Sequence, residues 1–264
     1  TVRTRHGAFT GFVEWIRELS LGSDELAGRT ADGEPRLPFD TIRRIARHSD
    51  DSARVTLHDG REIVLSDMRF GDSGIYVDDA RYGRVLIYWD DFERVDFSPG
   101  GPSPGYDDFP PGSPLTGSVI TRSGRRLAGR LVYDLDESET TETLDAPSEG
   151  VHYTIPFGLV ASIELPGSEA GGDRRATVTL HNGEELQLER AGDLGEENLG
   201  MLIFQGGQER PEHVPWADVA QVDLDRPPAI YPPSDARSAG RSSPPSSARS
   251  ASRSALQPWR LRSS

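Results

Sequence analysis

The chain is 264 residues long, 34% hydrophobic and 27% charged, with a formal net charge of −14 and no cysteine. That length holds one large domain or two to three small ones, and the missing cysteines exclude a disulfide framework, a thiolate metal site and a cysteine nucleophile. No stretch approaches the ~20 apolar residues of a membrane-spanning helix.

The charge is unevenly spread. Residues 1–225 carry 22 Arg against 42 Asp and Glu, whereas residues 226–264 carry seven Arg and one Asp. All 29 basic residues are Arg, which fits an arginine-biased genome as well as a functional demand. An acidic body repels nucleic acid and anionic membrane surfaces, whose binding needs phosphate neutralisation, so only the tail suits such partners. The chain opens at Thr1 with TVRTRHG, already strand-like, and no charged-then-apolar signal segment precedes it. That pattern is expected of a start methionine trimmed before a small residue, with a cleaved signal peptide as the alternative. The expected location is the cytoplasm, in its sharpest version the cytoplasmic face of a membrane, with the periplasm or secretion as the alternative.

Read in chain order, the elements repeat. TVRTRHGAFTGFVEW (1–15) returns as SVITRSGRRLAGRLVYD (118–134), and LPFDTIRRI (37–45) as IPFGLVASI (155–163). ARVTLHDGREIVLS (53–66) returns as ATVTLHNGEELQLE (176–189), GIYV (74–77) as GMLI (200–203), and VLIYWDDFERVDF (85–97) as EHVPWADVAQVDL (212–224). Order and spacing are kept, which is the signature of internal duplication. The expectation is an all-β chain of two homologous units, 1–97 and 116–225, joined by a Pro/Gly linker over 98–115 and followed by an arm over 226–264. Each unit divides again, at about 1–48 and 53–97 and at about 116–165 and 176–225. The unit is then a two-lobed small β-barrel or β-meander.

The periodicity supports strands. Val55 and Leu57 alternate with Thr56 and His58, and Val178 and Leu180 with Thr177 and Thr179. Asp59-Gly60 and Asn182-Gly183 are dipeptides that suit a two-residue type I′ hairpin turn. FDTIRRIARH (39–48) has a helical rhythm, but its β-rich counterpart FGLVASIEL favours a strand or a single turn. The linker opens SPGGPSPGYDDFPPGSP, too rich in breakers for regular structure. The arm, rich in Arg, Ser and Pro, cannot bury enough apolar surface to order itself. Its last nine residues, LQPWRLRSS, restore Leu256, Trp259 and Leu261 among arginines. Aromatic and Arg side chains dominate binding hot spots, so Arg237, Arg241, Arg249, Arg253, Trp259, Arg260, Leu261 and Arg262 are the candidate partner-binding residues. An unselected tail is the plainer reading.

VLIYWDDFERVDF and HVPWADVAQVDL resemble the closing strand of PRC-barrel domains, small SH3-like β-barrels whose last strands read like "IPWDAV". Upstream the likeness extends through a Gly turn, a strand, a loop and an apolar pair such as GIYV, over about forty residues per copy. Tyr88 stands where Pro215 sits in the second copy, and neither hairpin carries a second turn glycine. An Sm-like reading fits less well, because the Arg-Gly RNA-contact signature is absent. The resemblance implies a non-enzymatic module that docks on a larger assembly. Its family includes the cytoplasmic domain of the photosynthetic reaction centre H subunit, compatible with an acidic domain, and a ribosome maturation factor, which needs a surface tolerant of RNA.

Four constellations remain. DLDESETTETLD gathers Asp134, Asp136, Glu137, Glu139, Glu142 and Asp145; such oxygen clusters can hold Ca²⁺, but EF-hand spacing and its glycine are missing, which favours a solvated hairpin. Asp90 and Asp91 beside Trp89, and Asp218 beside Trp216, suggest a carboxylate pair for glycoside chemistry, against which stands their place on a closing strand or turn. His6, His48, His58, His152, His181 and His213 show no metal-ligand spacing. Trp15, Trp89 and Trp216, with Phe39 and Phe157, recur at matched positions as core anchors or, less simply, a stacking platform. There is neither a G-x-S-x-G elbow nor a phosphate loop, and no cofactor is expected. The sequence therefore points to a non-catalytic assembly subunit, without a membrane span of its own, docking on a larger protein complex, possible membrane-embedded partners included. The alternatives are an envelope module for a small ligand, sugar or Ca²⁺, a hydrolase on the carboxylates, and an arm that binds anionic lipid or nucleic acid.

Overall fold

The computed structural model describes residues 1–68, 74–100, 111–167 and 175–227. Residues 101–110 of the expected linker and 228–264 of the arm lie outside them.

The first repeat supplies β1 (Val2–Thr4), β2 (Gly7–Phe9), β3 (Gly11–Trp15), β4 (Glu25–Ala27), β5 (Arg36–Pro38), β6 (Ile42–Arg47), β7 (Ala53–Leu57), β8 (Glu62–Leu65), β9 (Ile75–Asp79), β10 (Gly83–Ile87) and β11 (Phe92–Asp96). The second supplies β12 (Thr116–Thr121), β13 (Arg126–Tyr133), β14 (Thr143–Ser148), β15 (Val151–Pro156), β16 (Val160–Glu164), β17 (Ala176–Leu180), β18 (Glu185–Leu188), β19 (Met201–Phe204), β20 (Glu212–Val214) and β21 (Val219–Leu224). The only helical pieces among the described residues are single 3₁₀ turns. Three of them, Phe39–Thr41, Phe157–Leu159 and Trp216–Asp218, follow Pro38, Pro156 and Pro215 at φ near −60°. Proline fixes that angle and ends the strand, so each Pro-aromatic step is a corner between strands. FDTIRRIARH is accordingly one turn followed by β6.

The second repeat forms one eight-stranded sheet, β18-β17-β16-β21-β12-β13-β19-β20. The first follows the same order in two pieces, β2-β1-β11-β6-β7-β8 and β10-β9-β3, the latter extended by β14 and β15 of the second repeat. Register shifts fall at matched places in both, at Arg3/Thr4 and Ile120/Thr121, and again at Ile42/Arg44 and Val160/Ser162. Where β13 runs unbroken, the first repeat stops β2 and restarts as β3 across Thr10, whose N–H goes to the Asp79 carboxylate at 2.7 Å.

One expectation needs correction. No sheet among the described residues closes into a barrel; the sheets have open edges, and the half-units interleave, since β6 pairs both β7 and β11. The two repeats are also joined through a sheet. The β14–β15 hairpin of the second lies along β10 of the first, pairing Arg84 with Thr154 and Ile87 with Val151. Phe9, Tyr82 and Tyr153 meet edge to face over this seam, with centroids 5.9 to 6.1 Å apart. Buried residues of both repeats form one continuous core, and the described residues belong to one compact body.

The hairpin turns also differ from the type I′ expectation. Gly60 and Gly183 have φ of +89°, but Asp59 and Asn182 do not have positive φ. Leu57 N–H donates to Arg61 O and Gly60 N–H to Leu57 O, and Leu180, Glu184 and Gly183 repeat this. These are three-residue loops of a type I turn and a glycine bulge. Asp59 and Asn182 instead accept the N–H two residues on, at 2.9 Å in each case, an Asx turn. A two-residue turn with both central residues at positive φ does occur, at Glu149-Gly150 between β14 and β15. Nothing stands within 4 Å of a Cβ built on Gly60, so Gly60→Ala tests backbone strain alone. We expect a loss of about 1–2 kcal/mol in urea unfolding, and a smaller loss for Gly60→Asn.

Candidate functional site

Arg237, Arg241, Arg249, Arg253, Trp259, Arg260, Leu261 and Arg262 lie outside the described residues. The body candidates are placed by the fold. Asp90 projects into solvent, its carboxylate 3.2 Å from Arg47. Asp91 is mostly buried beside Arg5 at 3.3 Å and His6 at 3.8 Å. His6 also reaches Glu149 at 3.0 Å, which Arg175 holds at 2.8 Å. These side chains tie the first repeat's opening turn to the tip of the β14–β15 hairpin. Asp218 closes a 3₁₀ turn, and its carbonyl accepts the Arg122 N–H. Asp90 and Asp91 are thus engaged by Arg47 and Arg5 of the first repeat, while Asp218 serves the matching corner of the second.

The recurrent aromatics pack inward. Trp15, Trp89, Trp216 and Phe157 are buried. Trp89 stacks on Phe92 at 5.0 Å, Trp15 meets Phe92 edge-on at 5.8 Å, and Trp216 meets Tyr133 edge-on at 5.4 Å. Each packs against another ring inside the core, the arrangement of core anchors.

The acidic loop acquires partners that sequence spacing does not reveal. Tyr133, 1% exposed, donates its hydroxyl to Asp193 O at 2.8 Å. Asn198 donates to the same carbonyl at 2.7 Å, and the Asp145 N–H donates to Asp193 Oδ2 at 2.6 Å. The Leu199 N–H donates to Asp134 Oδ1. These bonds bring residues 193–199 beside 134–145. The joint surface brings Asp134, Asp136, Glu137 and Asp145 close to Asp193; Glu139 and Glu142 belong to the first stretch, Glu196 and Glu197 to the second, and neither stretch holds a basic residue. Leu135 and Leu199 stand in it 37% and 60% exposed. No group of three or more His, Asp or Glu among the described residues is arranged to hold a metal ion.

Crowding of like charge shows in the acids themselves. Burial, a hydrogen bond to Asp136 and that neighbour's charge push the Glu137 carboxyl up to about 8. Burial also raises Asp193, with Asp145, Asp134 and Asp136 adding to it. A carboxyl raised in the fold stabilises when protonated; that contribution is complete below about 4.5 and disappears as pH rises through about 8. The full shift would be worth several kcal/mol, but solvent screening at a partly exposed loop leaves about 1–2 kcal/mol. Glu137→Gln should therefore match the parent in acid and exceed it by that amount near pH ~9, read as urea midpoints across a pH series.

Compared with known protein families, the chain matches no family model; it likewise matches no curated protein and no solved structure.

Proposed function

We propose that the protein is a non-catalytic assembly subunit that docks on a larger protein complex through its acidic β body and its Arg/Trp arm. The observation that carries this reading is the surface built from 134–145 and 193–199, two stretches that together hold nine acids, no base and two exposed leucines. Carboxylates around an apolar centre suit a cationic, partly apolar partner, since charge sets encounter and a desolvated centre sets affinity. The arm, with Arg237, Arg241, Arg249 and Arg253 followed by Trp259, Arg260, Leu261 and Arg262, contributes arginine–carboxylate pairs and a terminal anchor on the same partner. The likeness to PRC-barrel strands supports an accessory subunit of a membrane complex as the sharpest version. No helix among the described residues is long and apolar enough to cross a membrane, so attachment is peripheral in this reading.

The test is affinity purification in mild detergent from the native host, with the full chain, a 1–225 truncation and a Leu135→Asp/Leu199→Asp variant in parallel. Co-purifying subunits should be lost with the truncation and reduced with the double variant, while unfolding midpoints of the variant stay unchanged. A chain that emerges alone in all three forms overturns the reading.

A further inference from the structure

The seam between the repeats is a β-hairpin added to a sheet edge. β15 lies along β10, with Arg84, Val85, Leu86 and Ile87 opposite Thr154, Tyr153, His152 and Val151. Both partners of that seam exist a second time in the chain. The β4–β5 hairpin pairs Glu25 with Pro38, Leu26 with Leu37 and Ala27 with Arg36; β14–β15 pairs Thr143 with Pro156, Leu144 with Ile155 and Asp145 with Thr154. Arg29 O accepts the Ser66 N–H as Pro147 O accepts the Glu189 N–H, and Thr30 bonds Gly33 across a two-residue tip as Ser148 pairs with Val151. On the other side, β20 lies on β19 through Met201–Val214 and Ile203–Glu212, as β10 lies on β9 through Ile75–Ile87 and Val77–Val85.

Yet these duplicates do not meet. Among the described residues β5 pairs only with β4, and β20 only with β19. A two-stranded sheet with three-residue strands is marginal by itself, and an open edge presents unpaired backbone groups. Were the repeats related by a two-fold axis, β20 would meet β5 of its own chain. It does not, so the second seam can form only with another copy, as a heterologous contact that repeats.

We propose that the edge of β20 accepts the β4–β5 hairpin of a second copy, giving head-to-tail association of the chain. In the internal register Glu34 falls opposite His213 and Arg36 opposite Pro211, all four in exposed or half-exposed positions. The two-residue tip makes alternate residues of the hairpin turn their N–H and C=O outward; in β15 these are His152 and Thr154, and by register in the first hairpin Glu34 and Arg36. Pro211 offers a carbonyl but no donor, so the contact has one backbone bond fewer than the internal seam. Pro35 also stands where Tyr153 completes the aromatic cluster of that seam. Association is therefore weak and depends on concentration.

Sedimentation velocity of the full chain over a concentration series tests this. The parent should show a mean mass that climbs past the dimer, whereas His213→Pro and Glu34→Pro, each blocking one edge, should stay monomeric with unchanged circular dichroism. Mixed together, the two variants should give a dimer and nothing larger, because each retains the edge that the other has lost. A second measurement covers a variant that fails to fold. The chain has no cysteine, and directly opposed strand residues lie within disulfide reach. Under mild oxidation Glu34→Cys/His213→Cys should yield a covalent ladder, and each single variant no species above a dimer. A parent that stays monomeric at every concentration, or a double-cysteine chain that gives no ladder, overturns the proposal.

Discussion

Asp79→Ala should lower the stability of the body by about 3 kcal/mol, measured as the shift in urea unfolding. The side chain is 1% exposed and pairs with Arg81 at 2.8 Å. It also accepts the N–H groups of Thr10 at 2.7 Å and Arg81 at 2.9 Å. The Arg81 guanidinium continues to Ala8 O at 3.0 Å and lies over Tyr82, one ring of the inter-repeat cluster. One carboxylate therefore fixes the break between β2 and β3, the turn after β9 and the seam with β15. Arg81 is 38% exposed and rehydrates when its partner goes, which keeps the loss near the lower end for a broken buried pair. Asp79→Asn retains an acceptor for Thr10 but loses the ion pair, so its deficit relative to Ala separates the two contributions. Burial works to raise this carboxyl, but the Arg81 and N–H bonds outweigh it and hold it below the ordinary value of 3.8. Its contribution is present above that value and is lost as pH falls through the depressed one. The parent's acid unfolding should thus flatten in Asp79→Asn.

This residue also marks where sequence reading stops. Strands were legible because their signals are local: Val178 and Leu180 are buried while Thr177 and Thr179 are half-exposed, and every Pro-aromatic step is a corner. The two repeats read from the sequence carry register shifts at matched places. The bond from Asp79 to Thr10 spans 69 residues, and in the sequence Asp79 is one more acid in a charged hairpin. The seam of β10 with β15 was hidden for a related reason. Which edge a hairpin joins depends on the path of the intervening chain, and alternation along either strand carries no record of it. The turn type was missed because Asp-Gly serves both a type I′ turn and a glycine bulge; the aspartate's own bond to the N–H of Arg61 decides between them. The acidic surface was half legible: 134–145 is dense in the sequence, but only the bonds of Tyr133, Asp145 and Leu199 bring residues 193–199 beside it.

Tyr133 is where the core and that surface meet, and its replacement should have the largest effect of any single side chain at the site. The ring is 1% exposed, tilted on Phe157 at 5.0 Å and edge-on to Trp216 at 5.4 Å. Tyr133→Ala removes a full aromatic from a dense core and should cost about 4 kcal/mol. Tyr133→Phe keeps the ring and removes only the hydroxyl bond to Asp193 O, a loss of about 1 kcal/mol. The two variants should part company in amide exchange. In Tyr133→Phe the loss of protection should be confined to the segment around 193–199, because Asn198 alone then holds the Asp193 carbonyl. In Tyr133→Ala it should extend into β13 and β19, which pair through Tyr133 and Met201. If the joined acids form the docking surface, Tyr133→Phe should also weaken partner capture while leaving most of the stability in place. A Phe variant with native exchange at 193–199 would show that the hydroxyl does not hold the two acidic stretches together.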